Sequence, residues 1–423
     1  MNHSETKDLT ILLLTPQLPY PPHQGTSLRN YHLIRGLARR HEVHLLSFQD
    51  ANHPDPGGAI QRLEVLCASV TTAPAPRRTA RERLRRLIID SRPDMAHRLQ
   101  SAAFDDALRS LLRARPYDVA QVEGIELAAA MPLIRNEQPA CRIVFDDHNA
   151  EAELQYRAFL TDVRRPARWP LALYSLVQWR RLRRYEKWAA QSADAVTVVS
   201  HSDKLHLENL ASSLEPTVIP NCIDITEYGK KLSPDVTIPK YDVVFSGKMD
   251  YRPNVDAMLW FGDAIWPHIR REKPDATWAI VGQKPHRRLE PLAKLPGVTI
   301  TGFVPDVQPY LTGAGVYVMP FRMGSGTRLK LIEAMACGKA IVSTHTGAEG
   351  FPVNAGEQLL LADDPDHFAE AVLALLSDGG RREALGAAAR EFAAAYDWRR
   401  IVPRLDEVYG TIVSHLPCTT PCD

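Results

Sequence analysis

Short apolar runs alternate with longer amphipathic runs along almost the whole chain. Apolar runs of about four to six residues predict buried strands, and the amphipathic runs between them predict helices. In the first half, the predicted strands are residues 10–14, 43–48, 65–70, 119–122, 142–145, 195–199 and 217–219. The predicted helices there are residues 26–40, 99–113, 126–135, 171–191 and 202–211. This alternation is typical of parallel sheets covered by helices.

The alternation pauses at a polar segment and then starts again. Residues 231–240 carry two prolines and are the best linker candidate. The rhythm returns in residues 242–245, 255–271, 278–281, 298–301, 307–311, 316–319, 327–336 and 340–343, and helices follow at 365–376, 381–396 and 398–415. Two successive arrays predict two doubly wound domains. We therefore expect Rossmann-like domains at residues 1–235 and 236–396 and a last helix within residues 397–417.

The composition excludes several classes of protein. The chain has 423 residues, of which 45% are hydrophobic and 24% charged, as in a globular protein of two or three domains. The formal net charge of +1 disfavours general nucleic-acid binding. Six cysteines, mostly scattered, predict reduced thiols and a cytoplasmic location. The apolar run at residues 11–14 is too short for a signal peptide, and no run is long enough to span a membrane.

The small net charge conceals a basic first half. Residues 77–98 contain eight arginines against three acidic residues, and residues 161–190 hold seven arginines, one lysine and three tryptophans. Tryptophan and arginine together suit the interface of an anionic bilayer. We therefore predict peripheral binding at the inner face of the plasma membrane. The alternative is a long solvated helix whose tryptophans pack into the core.

Two segments of the first half place candidate ligand-binding residues after a predicted strand, where doubly wound sheets bind ligands. Residues 19–29 bring Gly25 in front of a helix, whose N–H groups can face an anion; the alternative is an ordinary helix cap. Residues 145–151 place His148 where it can hydrogen-bond a substrate hydroxyl; the alternative is a capping loop with a surface histidine. No second ligand cluster accompanies the acids of this segment, so we expect no metal.

A third segment, residues 245–255, repeats the strand-and-glycine pattern in the second half. Gly247 follows the strand, and Lys248 and Arg252 supply the positive charge that a diphosphate needs. The Walker spacing is absent, so this is not a P-loop.

The strongest segment is residues 320–342. A strand leads into a glycine-rich loop, and a helix is predicted to begin near Thr327 and end at Gly338. The loop N–H groups and the helix dipole favour an anion. Lys330 and Glu333 share one helix face, which suits a cation beside a diphosphate and a carboxylate accepting ribose hydroxyls. The alternative is an exposed ion pair.

At these residues the chain resembles the retaining glycosyltransferases of family 4, which have the GT-B fold, over nearly its whole length. The matching segments are residues 19–25, 147–149, 247–248, 302–306, 324–338 and 347–350. Residues 249–256 resemble the branch that builds bacterial surface polysaccharides and exopolysaccharides. The resemblance implies an α/β GT-B fold, with two doubly wound Rossmann-like domains facing each other across a cleft. It also implies that the last helix returns to the first domain.

The resemblance implies a role for each matched residue. Gly25 would face the donor diphosphate, His148 would contact the donor sugar, and Glu333 would bind the ribose hydroxyls. Lys248 would stand where the family has a phosphate-binding arginine, and the family's first glutamate would fall at Ser325. The predicted catalytic residues are His148, Lys248 and Lys330. The predicted donor-binding residues are Gly25, Gly247, Arg252, Phe303, Val304, Gly324, Ser325, Gly326, Thr327, Arg328 and Glu333.

The implied function is metal-independent transfer of a hexosyl group from a nucleotide-diphosphate sugar to a glycan or lipid-linked acceptor, with retention of configuration, in polysaccharide or glycoconjugate biosynthesis. The two lysines would stabilise the leaving diphosphate, and residues 231–240 would be the hinge for domain closure. Neither a cofactor nor nucleic acid is expected, whereas an anionic membrane surface is. The alternatives are a sugar-nucleotide epimerase of the same fold and an inactive donor-binding partner of a glycan assembly complex, which Ser325 would favour.

Overall fold

The computed structural model describes residues 9–22, 25–51, 55–163, 166–228, 233–324 and 326–414. Contacts between residues divide the chain into two compact units. The first unit comprises the chain up to Asn221 together with the segment that starts at Trp398, and the second comprises Cys222–Asp397. Each unit is built around one parallel sheet.

The first unit has a seven-stranded sheet with the strand order β3-β2-β1-β4-β5-β6-β7. The order reverses between β1 and β4, which is the switch point where doubly wound sheets bind ligands. The strands are β1 Thr10–Thr15, β2 Glu42–Gln49, β3 Ser69–Pro74, β4 Val119–Glu123, β5 Arg142–Asp147, β6 Ala195–Val198 and β7 Thr217–Val218. The helices are α1 Gly25–Leu37, α2 Pro56–Glu64, α3 Ala80–Ile89, α4 Ala102–Ala114, α5 Met131–Glu137, α6 Glu151–Val163, α7 Trp169–Ser192 and α8 His201–Leu210.

The second unit has a six-stranded parallel sheet with the strand order β10-β9-β8-β11-β12-β13. Its strands are β8 Tyr241–Ser246, β9 Trp278–Val281, β10 Val298–Gly302, β11 Ala314–Met319, β12 Ile341–Ser343 and β13 Leu360–Leu361. Its helices are α9 Ile225–Tyr228, α10 Arg252–Trp260, α11 Trp266–Glu272, α12 Gln308–Gly313, α13 Leu329–Ala336, α14 His345–Ala348, α15 Pro365–Ser377 and α16 Gly379–Ala393. A π-helical turn, Phe261–Ile265, joins α10 to α11.

The last helix, α17 Trp398–Ser414, packs on α1 of the first unit. Its apolar residues recur every three or four positions, and Ile401 and Leu405 are buried. A Cβ atom at Gly36 of α1 would lie 2.6 Å from a methyl group of Val402, so a glycine is required there for close packing. Helix α17, which follows the whole second sheet in the chain, therefore belongs to the first unit.

The division between the units lies earlier than the predicted boundary at residue 235. The chain enters the second unit at Cys222 because Ile223 forms a β-bridge with Asp397, whose carboxylate accepts a hydrogen bond from the N–H of Ile225. Helix α9, which follows, contacts α13. Of the predicted hinge at residues 231–240, the structure describes residues 233–240.

Two predicted elements differ from the structure. The strand predicted at residues 65–70 is displaced to Ser69–Pro74, because Val65 and Leu66 continue the turn that ends α2. Helix α13 begins at Leu329, and Thr327 therefore precedes it instead of opening it.

In the part of the chain that the structure describes, no helix combines the length and the apolar character needed to cross a bilayer.

Candidate active site

His148 in the first unit lies directly after β5, beside the end of the adjacent strand β4. Its Nε2 atom is 2.6 Å from Oε2 of Glu123 and 3.1 Å from Oδ2 of Asp146. These two acids are register partners at the carboxyl ends of their strands, and both side chains are fully buried. The parallel sheet thus holds two carboxylates on one ring nitrogen.

Arg29 of α1 completes this cluster from the other side. Its side chain is 1% exposed, and Nε and Nη2 bind the two carboxylate oxygens of Asp146 at 3.0 and 3.1 Å. Nη1 donates to the backbone carbonyls of Ile219 and Pro220 at 2.9 and 3.0 Å. Two buried acids are therefore matched by two cations, as burial of charge requires.

The charge balance fixes the protonation of the histidine. Burial opposes a charged imidazole, but the hydrogen bonds to Asp146 and Glu123 outweigh it and raise the pKa of His148 to about 10. Burial raises the pKa of Glu123, whereas Arg29 lowers the pKa of Asp146 against the effect of burial. Nε2 therefore carries a proton, and Nδ1 is the nitrogen left for a ligand, since no described residue hydrogen-bonds to it.

The structure keeps the Nδ1 side of His148 uncrowded. Gly124, directly after β4, has φ +87°, a conformation that L side chains rarely adopt. A Cβ atom there would lie 3.7 Å from Nδ1 of His148 and 3.0 Å from the carboxylate of Glu126. Glycine at this position lets the chain turn beside the histidine without covering it.

Among the described residues, one group of side chains has the spacing of metal ligands: Glu123, Asp146 and His148. Their ligand atoms lie within 4.8 Å of one another. A metal would have to displace the proton on Nε2, which the raised pKa of His148 opposes. The carboxylate of Asp146 is already bound by Arg29 and by the hydroxyl of Thr197, 2.5 Å away. In this structure the three side chains form an ion-pair network with Arg29.

A buried relay connects this network to the last helix. The hydroxyl of Tyr409 in α17 donates to Oε1 of Gln121, and Nε2 of Gln121 donates to Oε1 of Glu123. All three side chains are completely buried. Helix α17 therefore supports the carboxylate that holds His148.

The second unit gathers its candidate residues beyond the adjacent strands β8 and β11. Gly247 follows β8, and Lys330 belongs to the helix that follows β11. The Lys330 ammonium is 2.9 Å from Oδ1 of Asn254 and lies 4.8 and 5.2 Å from the ring centroids of Phe245 and Phe321. A Cβ atom at Gly247 would be 2.5 Å from Nζ of Lys330, so the ammonium occupies the space that the glycine leaves.

Asn254 is a residue of this site that the sequence motifs did not indicate. While Oδ1 accepts from Lys330, Nδ2 donates to the carbonyl of Lys248 at 2.8 Å. Its amide thus joins the loop after β8 to the helix after β11. Asn254 lies six residues after Lys248 in the sequence, but no local sequence pattern indicates what its side-chain amide binds.

The ammonium of Lys330 lies in an environment that favours an anion. Burial and the nearby Arg328 guanidinium lower the pKa of Lys330 to about 7, although Glu333 opposes the shift. At neutral pH a bound anion would stabilise the protonated amine. A perturbed cation beside a glycine turn is typical of a functional site.

Glu333 lies one turn further along α13, half-buried. Its Oε1 atom accepts a hydrogen bond of 2.7 Å from the hydroxyl of Tyr228 in α9. Burial raises the pKa of Glu333, and the bond from Tyr228 and the charge of Lys330 act against that shift. One oxygen is therefore fixed by the protein, and no described group donates to the other, Oε2.

The loop before α13 is braced by its own arginine. Arg328 donates to the carbonyls of Gly326 and Met323, each at 3.3 Å. Gly324 and Gly326 have φ of +112° and +79°, so the loop needs glycine at both positions. Ser325 lies outside the described residues.

The remaining predicted residues are more peripheral. Lys248 is 40% exposed and pairs loosely with Asp250, 3.7 Å away. Arg252 begins α10. Phe303, which is 66% exposed, and the half-buried Val304 follow β10, which β9 separates from β8 in the sheet. In the first unit, Gly25 is the exposed first residue of α1.

Two family models match consecutive parts of the chain. The model described as "Glycosyltransferase Family 4" matches residues 24–227, and that described as "Glycosyl transferases group 1" matches residues 240–378. With two parallel α/β units, these matches define a glycosyltransferase of the GT-B class. The chain belongs to glycosyltransferase family 4, so the family and fold class predicted from the sequence motifs are confirmed.

Curated relatives match over part of their length. A phosphatidyl-myo-inositol mannosyltransferase of Mycolicibacterium smegmatis is 29% identical over 201 residues, 46% of this chain and 51% of that protein. An uncharacterized 44.6 kDa protein in the cps region of Klebsiella pneumoniae is 27% identical over 140 residues, 31% of this chain and 36% of that protein. The chain thus spans about half or less of the length of these relatives.

Solved structures match over almost the whole chain. Sucrose-phosphate synthase from Thermosynechococcus elongatus has a TM-score of 0.71 and 18% identity, covering 96% of this chain and 100% of that one. Anabaena HepE in complex with UDP and glucose has a TM-score of 0.65 and 16% identity, covering 95% and 100%. At these identities the likeness shows the fold alone.

Proposed function

We propose that the protein transfers a hexosyl group from a nucleotide-diphosphate sugar to a glycan or lipid-linked acceptor, with retention of anomeric configuration and without a metal. The observation that carries the proposal is the Lys330 ammonium, held by Asn254 in the space beside Gly247. The half-buried ammonium of Lys330, beyond the ends of the adjacent strands β8 and β11, is suited to binding a diphosphate.

Charge develops on the leaving diphosphate as the anomeric C–O bond breaks. The Lys330 ammonium would be attracted to that charge more strongly in the transition state than in the ground state. Lys248, more exposed, would contribute a second cation. Fixed lysines would thus take the place of a divalent ion.

The nucleoside would be held further along the same sheet. Glu333 would accept ribose hydroxyls at Oε2, because Tyr228 already fixes Oε1. Phe303 offers an exposed aromatic face after β10 for the base. His148 would act on the donor sugar through Nδ1, since its other nitrogen is bound to two carboxylates.

The relatives support the acceptor class. One relative is named a phosphatidyl-myo-inositol mannosyltransferase, and another is an uncharacterized protein in a cps region. We therefore propose a role in polysaccharide or glycoconjugate biosynthesis at the cytoplasmic face of the membrane.

The test is a thermal-shift screen of nucleotide sugars followed by product analysis. A true donor at 100 times its dissociation constant should stabilise the protein by about 2.7 kcal/mol. NMR of the product formed with EDTA present should show the donor's anomeric configuration. Inversion or a strict metal requirement would contradict the mechanism, epimerised donor without acceptor would indicate an epimerase, and tight binding without turnover would indicate an inactive partner.

A further inference from the structure

A basic cavity lies in the first unit, away from the His148 network. Its volume is about 280 Å³, and α3, the 3-10 turn Asp94–His97 and α7 contribute to its lining. Asp94 is the one carboxylate among its lining residues, all of which the structure describes. The arginines that line it are Arg83, Arg86, Arg92 and Arg181.

Two of these arginines are neutralised by neighbours. Asp94 accepts from Arg83 at 3.4 Å and also from Arg78, outside the lining, at 3.0 Å. Arg92 pairs with Asp90 at 2.9 Å. Arg86 and Arg181 form no ion pair with any described carboxylate, so they leave a net positive charge in the cavity.

The contacts of Arg86 and Arg181 are with neutral groups. Nη1 of Arg86 donates to Nδ1 of His97 at 2.9 Å and to Oε1 of Gln100 at 2.8 Å. Nη2 of Arg181 donates to the carbonyl of Leu87 at 2.9 Å. Nη1 of Arg181 is buried without a hydrogen-bond partner among the described groups. An unsatisfied buried N–H of a cation is costly, and an anionic oxygen would satisfy it.

Exposed apolar side chains continue the walls of the cavity. On α7, Tyr174 and Arg181 lie on the face that lines the cavity. Leu171, one turn earlier on the same face, is 56% exposed. On α3, Ile89 follows the lining residue Arg86 by three positions and is 67% exposed. Anion-binding and apolar groups are therefore side by side on both helices, as a lipid headgroup and its chain require.

We propose that this arginine cavity is a binding site for a phosphate or diphosphate group, carried by a membrane lipid. Arg86 and Arg181 bind the phosphate oxygens, and the exposed residues Leu171 and Ile89 meet the apolar part of the ligand. The inference that this site holds the lipid-linked acceptor rests on the proposed function, whereas phosphate binding itself does not.

The test compares two double variants with equal loss of charge. R86Q/R181Q removes the unpaired cations, and R85Q/R180Q removes an exposed neighbour of each on the same helices. Binding of inorganic pyrophosphate is measured by calorimetry in a Lys330→Gln background, which removes the cation of the proposed donor-diphosphate site. Co-sedimentation uses phosphatidylcholine vesicles with and without phosphatidylglycerol. Melting temperature and nucleotide-sugar binding are measured for both variants.

The R86Q/R181Q variant should lose at least about tenfold in pyrophosphate affinity and in binding to anionic vesicles, and R85Q/R180Q should lose little. If only R86Q/R181Q lost pyrophosphate affinity and the wild type did not bind vesicles, a membrane lipid would be excluded as the ligand. The site would then bind a soluble phosphate compound. Equal losses in the two variants, or no binding of either probe, would overturn the site. Nucleotide-sugar binding should be unchanged in both, so a failed donor screen tests the proposed function separately.

Discussion

Gly247 shows how an absent side chain can position a charged one. The Lys330 ammonium occupies the space that a Cβ atom would need, 2.5 Å away. The same ammonium depends on Asn254 for its hydrogen bond. Adding a single methyl group at Gly247 therefore tests whether donor binding requires the Lys330 ammonium at this position.

We expect Gly247→Ala to weaken donor binding by about tenfold or more, because the displaced ammonium loses a charged hydrogen bond worth roughly 1.5–3 kcal/mol. Gly410→Ala is the matched control, since a Cβ atom there meets nothing within 4 Å. Donor affinity is measured by calorimetry and folding by thermal denaturation. Equal donor affinity in the two variants would remove Lys330 from the donor site.

Glu151, the first residue of α6, gives the first unit a pH-dependent component of stability. Burial, Glu126 and Glu186 raise the pKa of Glu151 to about 8. Between the ordinary glutamate value and about 8, the folded state keeps a proton that the unfolded state releases. The contribution of this group to stability is therefore lost as the pH rises through that window.

We expect Glu151→Gln to raise the free energy of unfolding relative to the wild type by more at pH 8.5 than at pH 5. The difference should be on the order of 1 kcal/mol, because glutamine cannot ionise. Glu153→Gln on the same helix, which removes a surface carboxylate paired with Arg157 at 3.1 Å, is the control. Urea denaturation at both pH values measures the difference. A pH-independent effect of Glu151→Gln would contradict the raised pKa.

At the scale of elements, α17 connects the end of the chain to the histidine. Tyr409 reaches Glu123 through Gln121, so helix α17 orients the carboxylate that holds the His148 ring. A positioning role of this kind acts on turnover more than on binding.

We expect Tyr409→Phe to lower turnover several-fold with little change in the Michaelis constant for the donor, because Gln121 loses the donor that orients it. The unsatisfied amide should also cost about 1–3 kcal/mol of stability. Tyr117→Phe is the control, since its buried hydroxyl has no partner among the described groups. Equal turnover in both variants would restrict the relay to a structural role.

Most elements with clear apolar periodicity were predictable, whereas α3 was not. Its sequence is rich in arginine and reads as a basic surface, although the capping box between Thr79 and Glu82 was a usable local signal. The position shortly after a predicted strand located His148 and Gly247, because that signal is local to the sequence. Arg29 was missed because its partner Asp146 is 117 residues away, a distance that no motif spans.

At the scale of the whole molecule, the first unit is built from two separate stretches of the chain, one before Cys222 and one after Asp397. Helix α17 covers α1, and Asp406 binds His41 and Arg40 at 2.5 and 2.7 Å. The second unit contains all the predicted diphosphate-binding lysines within Cys222–Asp397. The two units should therefore respond differently to loss of the last helix.

We expect truncation after Asp397 to destabilise the first unit and abolish transfer, because α1 loses its apolar cover and His41 and Arg40 lose the carboxylate of Asp406. The second unit should keep a cooperative thermal transition that nucleotide binding still shifts. Calorimetry with and without the donor nucleotide measures both transitions. A truncated protein with wild-type activity would contradict the role of α17 in the first unit.

The return of α17 to the first unit also constrains the order in which the protein can be completed during synthesis. The first sheet leaves the ribosome early, but its last helix emerges only after the entire second unit has been translated. At about 5–20 residues per second, this delay is on the order of 10–35 s. For that interval the face of α1 that receives α17 is open to water and to chaperones, while the second unit already has every residue it needs to fold.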